Sequence, residues 1–433
     1  MAAQERSRIF RAAIAHCLDD PAREDGTAAA EFIDDGMLVV EDGRIRALGP
    51  SAELAGRFGD TPVTDLGGKI ILPGLVDCHV HFAQVDVLAS YGEQLLDWLR
   101  LYAYPAEEKF ADADHAARTA EFFLDELLRN GTTTAAVFTT VHEHATDALF
   151  AAALSRNMRI ISGKVLMDER CPPGLADDPG GRGIPESRRL LERWHGKGRL
   201  GYAITPRFAL SSSTQQLADI QALVNEYPDA WTHTHLAENP EEVRAVGERF
   251  PWAASYLDVY DRFGLVRERG LFAHCLHLGE SDRFRMGEAG AAAAFCPTSN
   301  LFLGSGLYDL AAMDAAGVRT GLATDVGAGT SLSLLRTMAE AYKVLKLQGQ
   351  VLSPARALYL STLGAARALR LDHVIGNFLP GKEADFIVLD PAATAITARR
   401  TAACASLAQQ LFVLQTLGDD RHVAATFLLG ERA

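Results

Sequence analysis

Five side chains able to bind a transition metal are spread along the chain in a pattern that suggests they meet. His79 and His81 stand two apart in LVDCHVH, so on a strand both rings face the same side. His235 falls near the end of WTHTHLAE, His274 in GLFAHCLHL and Asp325 in RTGLATDV, each toward the close of an apolar run. Imidazoles with a carboxylate and no thiolate suit zinc in a catalytic site that keeps one position for water, although imidazole accepts iron as well. Such a metal lowers the pKa of its water to about 7, so hydroxide becomes available near neutrality. Glu238, three residues after His235, is close enough to move a proton without being a ligand. Asp325 could bind with one oxygen and accept the water's proton with the other.

Each of these residues also has a reading without chemistry. A His-x-His pair arises by packing, a glutamate at a strand end is often merely solvated, and an aspartate ahead of GAGTSLSLL caps a helix. The number of convergent groups decides between the two, because burying so many polar side chains with nothing to bind would cost several kcal/mol. His277 is either a base behind the metal or a strand-end histidine with no chemistry, and the second reading is favoured. His142 and His144 in HEH lack the spacing of a helical zinc motif and read as a polar loop. Lys164 could be carboxylated to bridge two metals, but the histidine and aspartate set is complete for one metal per subunit.

The elements that carry these residues alternate in a regular way. Eight apolar, β-branched runs can be counted: LVDCHVH, TTTAAVFTT, RIISGKVLMD, LGYAITPRF, WTHTHLAE, GLFAHCLHL, AAAAFCPTSN and RTGLATDV. Between them lie amphipathic stretches such as AARTAEFFLDELLRN, which stops before Gly131. Alternation of this kind builds parallel βαβ units, and eight strands close a barrel whose sites sit at the C-terminal strand ends. An open doubly wound sheet is disfavoured because no glycine-rich phosphate loop follows the first run. The expected fold is therefore α/β: a (β/α)8 barrel over residues 71–370. Residues 1–70 and 371–433, which read as short strands with turns (MLVVEDGRIRALGP, PGKEADFIVLD, HVAATFLLGERA), should together form a small β-sandwich domain.

The bulk properties narrow the partners. At 433 residues with 48% hydrophobic content the chain has ample material for a core. A net charge of −14 repels phosphate backbones and anionic membranes, so nucleic acid and membrane partners are not expected. Six scattered cysteines without a CxxC pair indicate a reducing compartment, and neither a leader nor a membrane span is apparent, which places the protein in the cytoplasm. No heptad seam marks an oligomer interface.

The ordered set PGLVDCHVHF, HTHLAE, AHCLHL and ATDVG resembles the amidohydrolase superfamily in its cytosine, adenosine and guanine deaminase branch. HFAQ, LLDWLRLYAYPAEEKF, NGTTTAAVF, GKVLMD, ITPRF, THLAENPEEV, PTSNLFLGSGL and TDVGAGTSLSLL look like guanine deaminase segments in particular. The resemblance implies His79, His81, His235 and Asp325 as zinc ligands, His274 at the metal or on the transition state, and Glu238 as the acid/base. It implies Gln84, Arg207 and Phe208 as purine contacts, leaves Trp98 an unassigned candidate, and implies a homodimer. The implied reaction is hydrolytic deamination of guanine to xanthine and ammonia by a metal-bound hydroxide. An arginine donor, a glutamine amide and an aromatic face suit a flat ring with a carbonyl at one edge. The same chemistry on 8-oxoguanine, an aminopyrimidine or a triazine is the alternative, and a metal-free scaffold relative is the rival from another class.

Overall fold

The structure, a computed structural model, describes residues 7–22, 29–59, 61–92, 94–177 and 181–433. Eight parallel strands occupy the eight apolar runs: Leu75–His81, Thr132–Phe138, Arg159–Gly163, Gly201–Pro206, Trp231–Leu236, Gly270–His274, Ala292–Phe295 and Arg319–Leu322. Each pairs with the next in chain order. Beyond the last strand, Asp325 N donates to His79 O at 2.9 Å and His81 N to Val326 O at 2.7 Å, which brings the eighth strand's end back to the first. Among the described residues no helix is long and apolar enough to cross a membrane.

The helices cover the barrel through apolar stripes at helical spacing. Helix Ala113–Arg129 starts where the Asp112 carboxylate accepts from the backbone N–H groups of Asp114 and His115. It buries Ala116, Ala120, Phe123, Leu124 and Leu127 against the barrel, a single face of a 3.6-residue repeat. It stops at Gly131, which takes a φ of +81° that a side chain would resist. Truncating Phe123, which is fully buried, to alanine would cost about 3–5 kcal/mol.

Both chain ends build a second sheet, as expected. Its seven strands run in the order Glu431–Arg432, Val423–Leu428, Phe386–Leu389, Val63–Pro73, Ser7–Cys17, Ala30–Glu41 and Arg44–Pro50. Phe10, Phe386 and Phe427 meet on its inner face, with Phe386 and Phe427 stacked at 4.3 Å. The sheet hands over to the barrel at Gly74, where a Cβ would lie 2.2 Å from Thr133 Oγ1, so only glycine lets the two strands run this close. Arg159, at the start of the third barrel strand, donates to Glu383 at 2.6 Å and pins this sheet to the N-terminal side of the barrel, away from the metal-type residues.

Candidate active site

All five metal-type residues converge at the C-terminal end of the barrel. The donor atoms of His79, His235, His274 and Asp325 all lie within 4.8 Å of one another. His81 sits at the edge of this group, its Nε2 3.3 Å from Asp325 Oδ1 and 3.2 Å from His235 Nε2. His79 Nε2 is 3.2 Å and His274 Nε2 3.7 Å from the Asp325 carboxylate. His274 and Asp325 carry positive φ angles, +73° and +49°, as their strands break off. Non-glycine residues rarely accept this conformation, and such strain collects where side chains must be aimed.

The outer ring nitrogens show which atoms are left for a metal. His235 Nδ1 lies 2.7 Å from the carbonyl of Arg207, and a carbonyl only accepts, so the proton is on Nδ1 and the Nε2 lone pair faces inward. His274 Nδ1 is held in the same way by Asn300 Oδ1 at 2.9 Å. His79 Nδ1 is 2.8 Å from His233 Nε2. Anchoring of the far nitrogen is how metal-binding histidines are oriented. The inner Nε2 atoms of His79 and His274 are buried without a hydrogen-bond partner. Such orphaned atoms are costly unless something binds them, and with this donor set a zinc-type cation fits. Burial holds the His79 pKa down at about 4 and those of His233 and His235 well below the usual value, so the rings stay neutral, the form that ligates.

Two carboxylates in the site are driven apart. Glu238 is buried beside Asp325 and Glu242, and burial followed by these like charges raises its pKa well above the ordinary value. It lies 3.4 Å from His274 Nε2 and accepts from Ser305 Oγ at 3.3 Å. For Asp325 burial also acts upward, but the close approach of the His79, His81 and His274 rings outweighs it and pulls the pKa well below normal. One carboxyl is thus set to give a proton and the other to take one.

A cleft opens onto these groups and is walled by Gln84, Trp98, Arg207 and Phe208. Trp98 is buried and its indole N–H donates to Ser90 O at 3.1 Å, which leaves its ring as an apolar wall. Gln84 follows the first strand in a short turn of helix, Phe82–Val87, and Arg207 follows the fourth strand. Between them stands Glu107, on helix Tyr104–Glu108, fully buried and overlooked in the sequence. It accepts from Gln84 Nε2 at 2.9 Å and from Arg207 Nη1 at 2.6 Å. Glu107 stands beside Glu108 in YPAEE, and nothing in the spacing of the two says which turns inward.

Other missed residues left more trace. His233 shares a face with His235 by the same period of two that paired His79 with His81. Glu242 completes a capping box with Asn239 ahead of helix Pro240–Arg249, and its Oε2 also accepts the backbone N–H of Glu238 at 2.9 Å. Asn300 has no sequence signal. The remaining candidates lie outside the metal group. His277 is exposed and its Nε2 contacts Ser305 O at 2.8 Å. His144 Nε2 contacts Phe110 O at 2.8 Å. Lys164 is fully buried against Asp177 at 2.6 Å, its amine engaged away from the histidines.

Barrel, strand-end histidines and aspartate define a class, and the amidohydrolase family profile matches residues 70–433; the chain belongs to that family. Within it, the chain is 48% identical to the guanine deaminase of Escherichia coli K12 over 96% of its own length and 94% of the relative's. The solved structure of E. coli guanine deaminase superposes with a TM-score of 0.96 at 46% identity, covering 98% of this chain and 99% of that one. A guanine deaminase from C. acetobutylicum, solved with guanine bound in its active site, superposes with a TM-score of 0.90 at 27% identity over 98% of this chain and 99% of that one.

Proposed function

We propose that this protein hydrolyses guanine to xanthine and ammonia with the help of one zinc per subunit, iron being the alternative metal. The observation that carries the reading is a cleft in which the histidine–aspartate cluster, a proton-holding Glu238 and the Gln84–Arg207 pair face one another. The metal would be held by His79, His81, His235 and Asp325, with His274 beside it, and supplies a water acidified to a pKa of about 7. Arg207 donates to the ring carbonyl, the Gln84 amide fixes the adjoining edge, and Phe208 and Trp98 cover the ring and exclude bulk water. This places the amino-bearing carbon over the histidine cluster.

Glu238 delivers one proton of the water to the ring nitrogen N3 as oxygen adds to C2. Asp325 accepts the other proton and passes it to the amine. The C2–N bond then breaks, ammonia leaves, and C2 becomes a carbonyl. The atoms balance as guanine plus water giving xanthine plus ammonia. Six free cysteines support a reducing, cytoplasmic location. A homodimer is proposed from the family resemblance, and sedimentation of the purified chain tests it. Steady-state rates on guanine, 8-oxoguanine, aminopyrimidines and triazines test the substrate: guanine should lead by kcat/KM, and a clear preference for another ring contradicts the proposal.

A further inference from the structure

We propose that Glu107 is a positioning residue that keeps the ring-reading side of the cleft electrically neutral, so that it takes a neutral lactam and releases its more acidic diketo product. The inference rests on the guanine reading above. Glu107 is fully buried and Arg207 is 2% exposed, so neither charge is relieved by water. The two meet at 2.6 Å, and the second Glu107 oxygen accepts from Gln84 at 2.9 Å. The Gln84 oxygen in turn accepts from Gly327 N at 3.3 Å, so its amide is held one way round by a donor on one side and an acceptor on the other. One carboxylate thereby aligns both groups that would read the ring.

The electrostatic consequence follows from burial. A guanidinium alone in a dry cleft would draw in any anion, whereas a close ion pair presents only directed N–H groups. Arg207 keeps donors that Glu107 does not use, and the Tyr104 ring packs 5.0 Å from its guanidinium. The other titratable groups facing the pair and its Gln84 partner are Tyr104 on the Glu107 helix, Cys171 in the loop after the third strand, Glu238 after the fifth, His142, and His81, whose Nδ1 lies 3.3 Å from Gln84 Nε2. None of them is a permanent cation, so Arg207 is the fixed positive charge of this wall, the metal site with its Asp325 carboxylate lying on the other. Hydrolysis replaces an amine by a second carbonyl flanking the same ring N–H. Such an imide is a stronger acid than the amino-lactam, so at mildly alkaline pH the product turns anionic while the substrate stays neutral. With Arg207 unpaired, the enzyme would hold its product more tightly than its substrate.

The test is inhibition by xanthine of the zinc-loaded enzyme. Wild-type turnover of guanine comes first, and its absence sinks the functional reading without touching the ion pair. Given turnover, E107Q, which keeps shape and loses charge, should bind xanthine about tenfold more tightly than wild type at mildly alkaline pH. At mildly acid pH, where xanthine is neutral, that difference should close, and E107D should restore wild-type behaviour at both. The same E107Q-to-wild-type ratio at both pH values overturns the proposal. A variant-free measurement guards against misfolding: wild-type inhibition by xanthine should not strengthen as pH rises, and inhibition that strengthens as xanthine ionises overturns it.

Discussion

The two walls of the cleft are built differently. On the metal wall, His79, His81, His235, His274 and Asp325 all hang from barrel strand ends, and at least three of the four histidines are braced through the far ring nitrogen by His233, Arg207 O or Asn300. On the ring wall, Gln84 and Glu107 come from short helical elements after the first strand, and Arg207 and Phe208 come directly off the end of the fourth. The first wall is fixed by the sheet itself, the second by a buried ion pair and an amide. Chemistry that a family shares belongs on the rigid wall, and choice of ring belongs on the loop wall, where it changes without disturbing the metal. Arg207 joins them: its carbonyl orients His235 while its side chain lines the cleft.

Variants that touch one wall alone should separate these roles. The largest effect is expected from E238Q, which should lower kcat by about 10³-fold or more with metal content unchanged, read by ammonia release beside metal analysis. Near-native turnover would remove Glu238 from its assigned role. R207M should lower kcat/KM for guanine by about 10²-fold, mainly through the ring wall. Loss of metal in this variant would show that the walls are not separable. N300A, which frees His274 Nδ1, should weaken metal binding by about tenfold in a competition with a chelator while leaving ring preference intact. H277A should stay within about threefold of wild type in kcat/KM, because this exposed ring touches neither wall.

What the chain reveals about itself follows the same division. The eight barrel strands were legible because each is a short run rich in apolar or β-branched residues, as suits strands buried on both faces. His79 and His81 were legible by strand periodicity, and Glu238 and Asp325 by their place just past a run. Glu107 was not, because the YPAEE helix gives no sign of which of its two glutamates turns inward until it packs beside Gln84 and Arg207. Asn300 was hidden for a related reason, since its partner His274 is 26 residues away and only the barrel brings them together. Lys164, read from sequence as a possible metal bridge that one metal would not need, proves to hold Asp177 in a buried ion pair, a contact that no local spacing foretells.

The central claim is that a single cation at the strand ends and Glu238 together turn over guanine. Ammonia release from guanine by the purified chain, with metal quantified in the same sample before chelation, after it and after zinc is restored, tests this most directly. The account predicts about one equivalent of metal per chain, activity that disappears with it, and activity that returns with zinc. Guanine turnover that persists in metal-free protein, or a zinc-loaded chain that releases no ammonia from guanine, would contradict it.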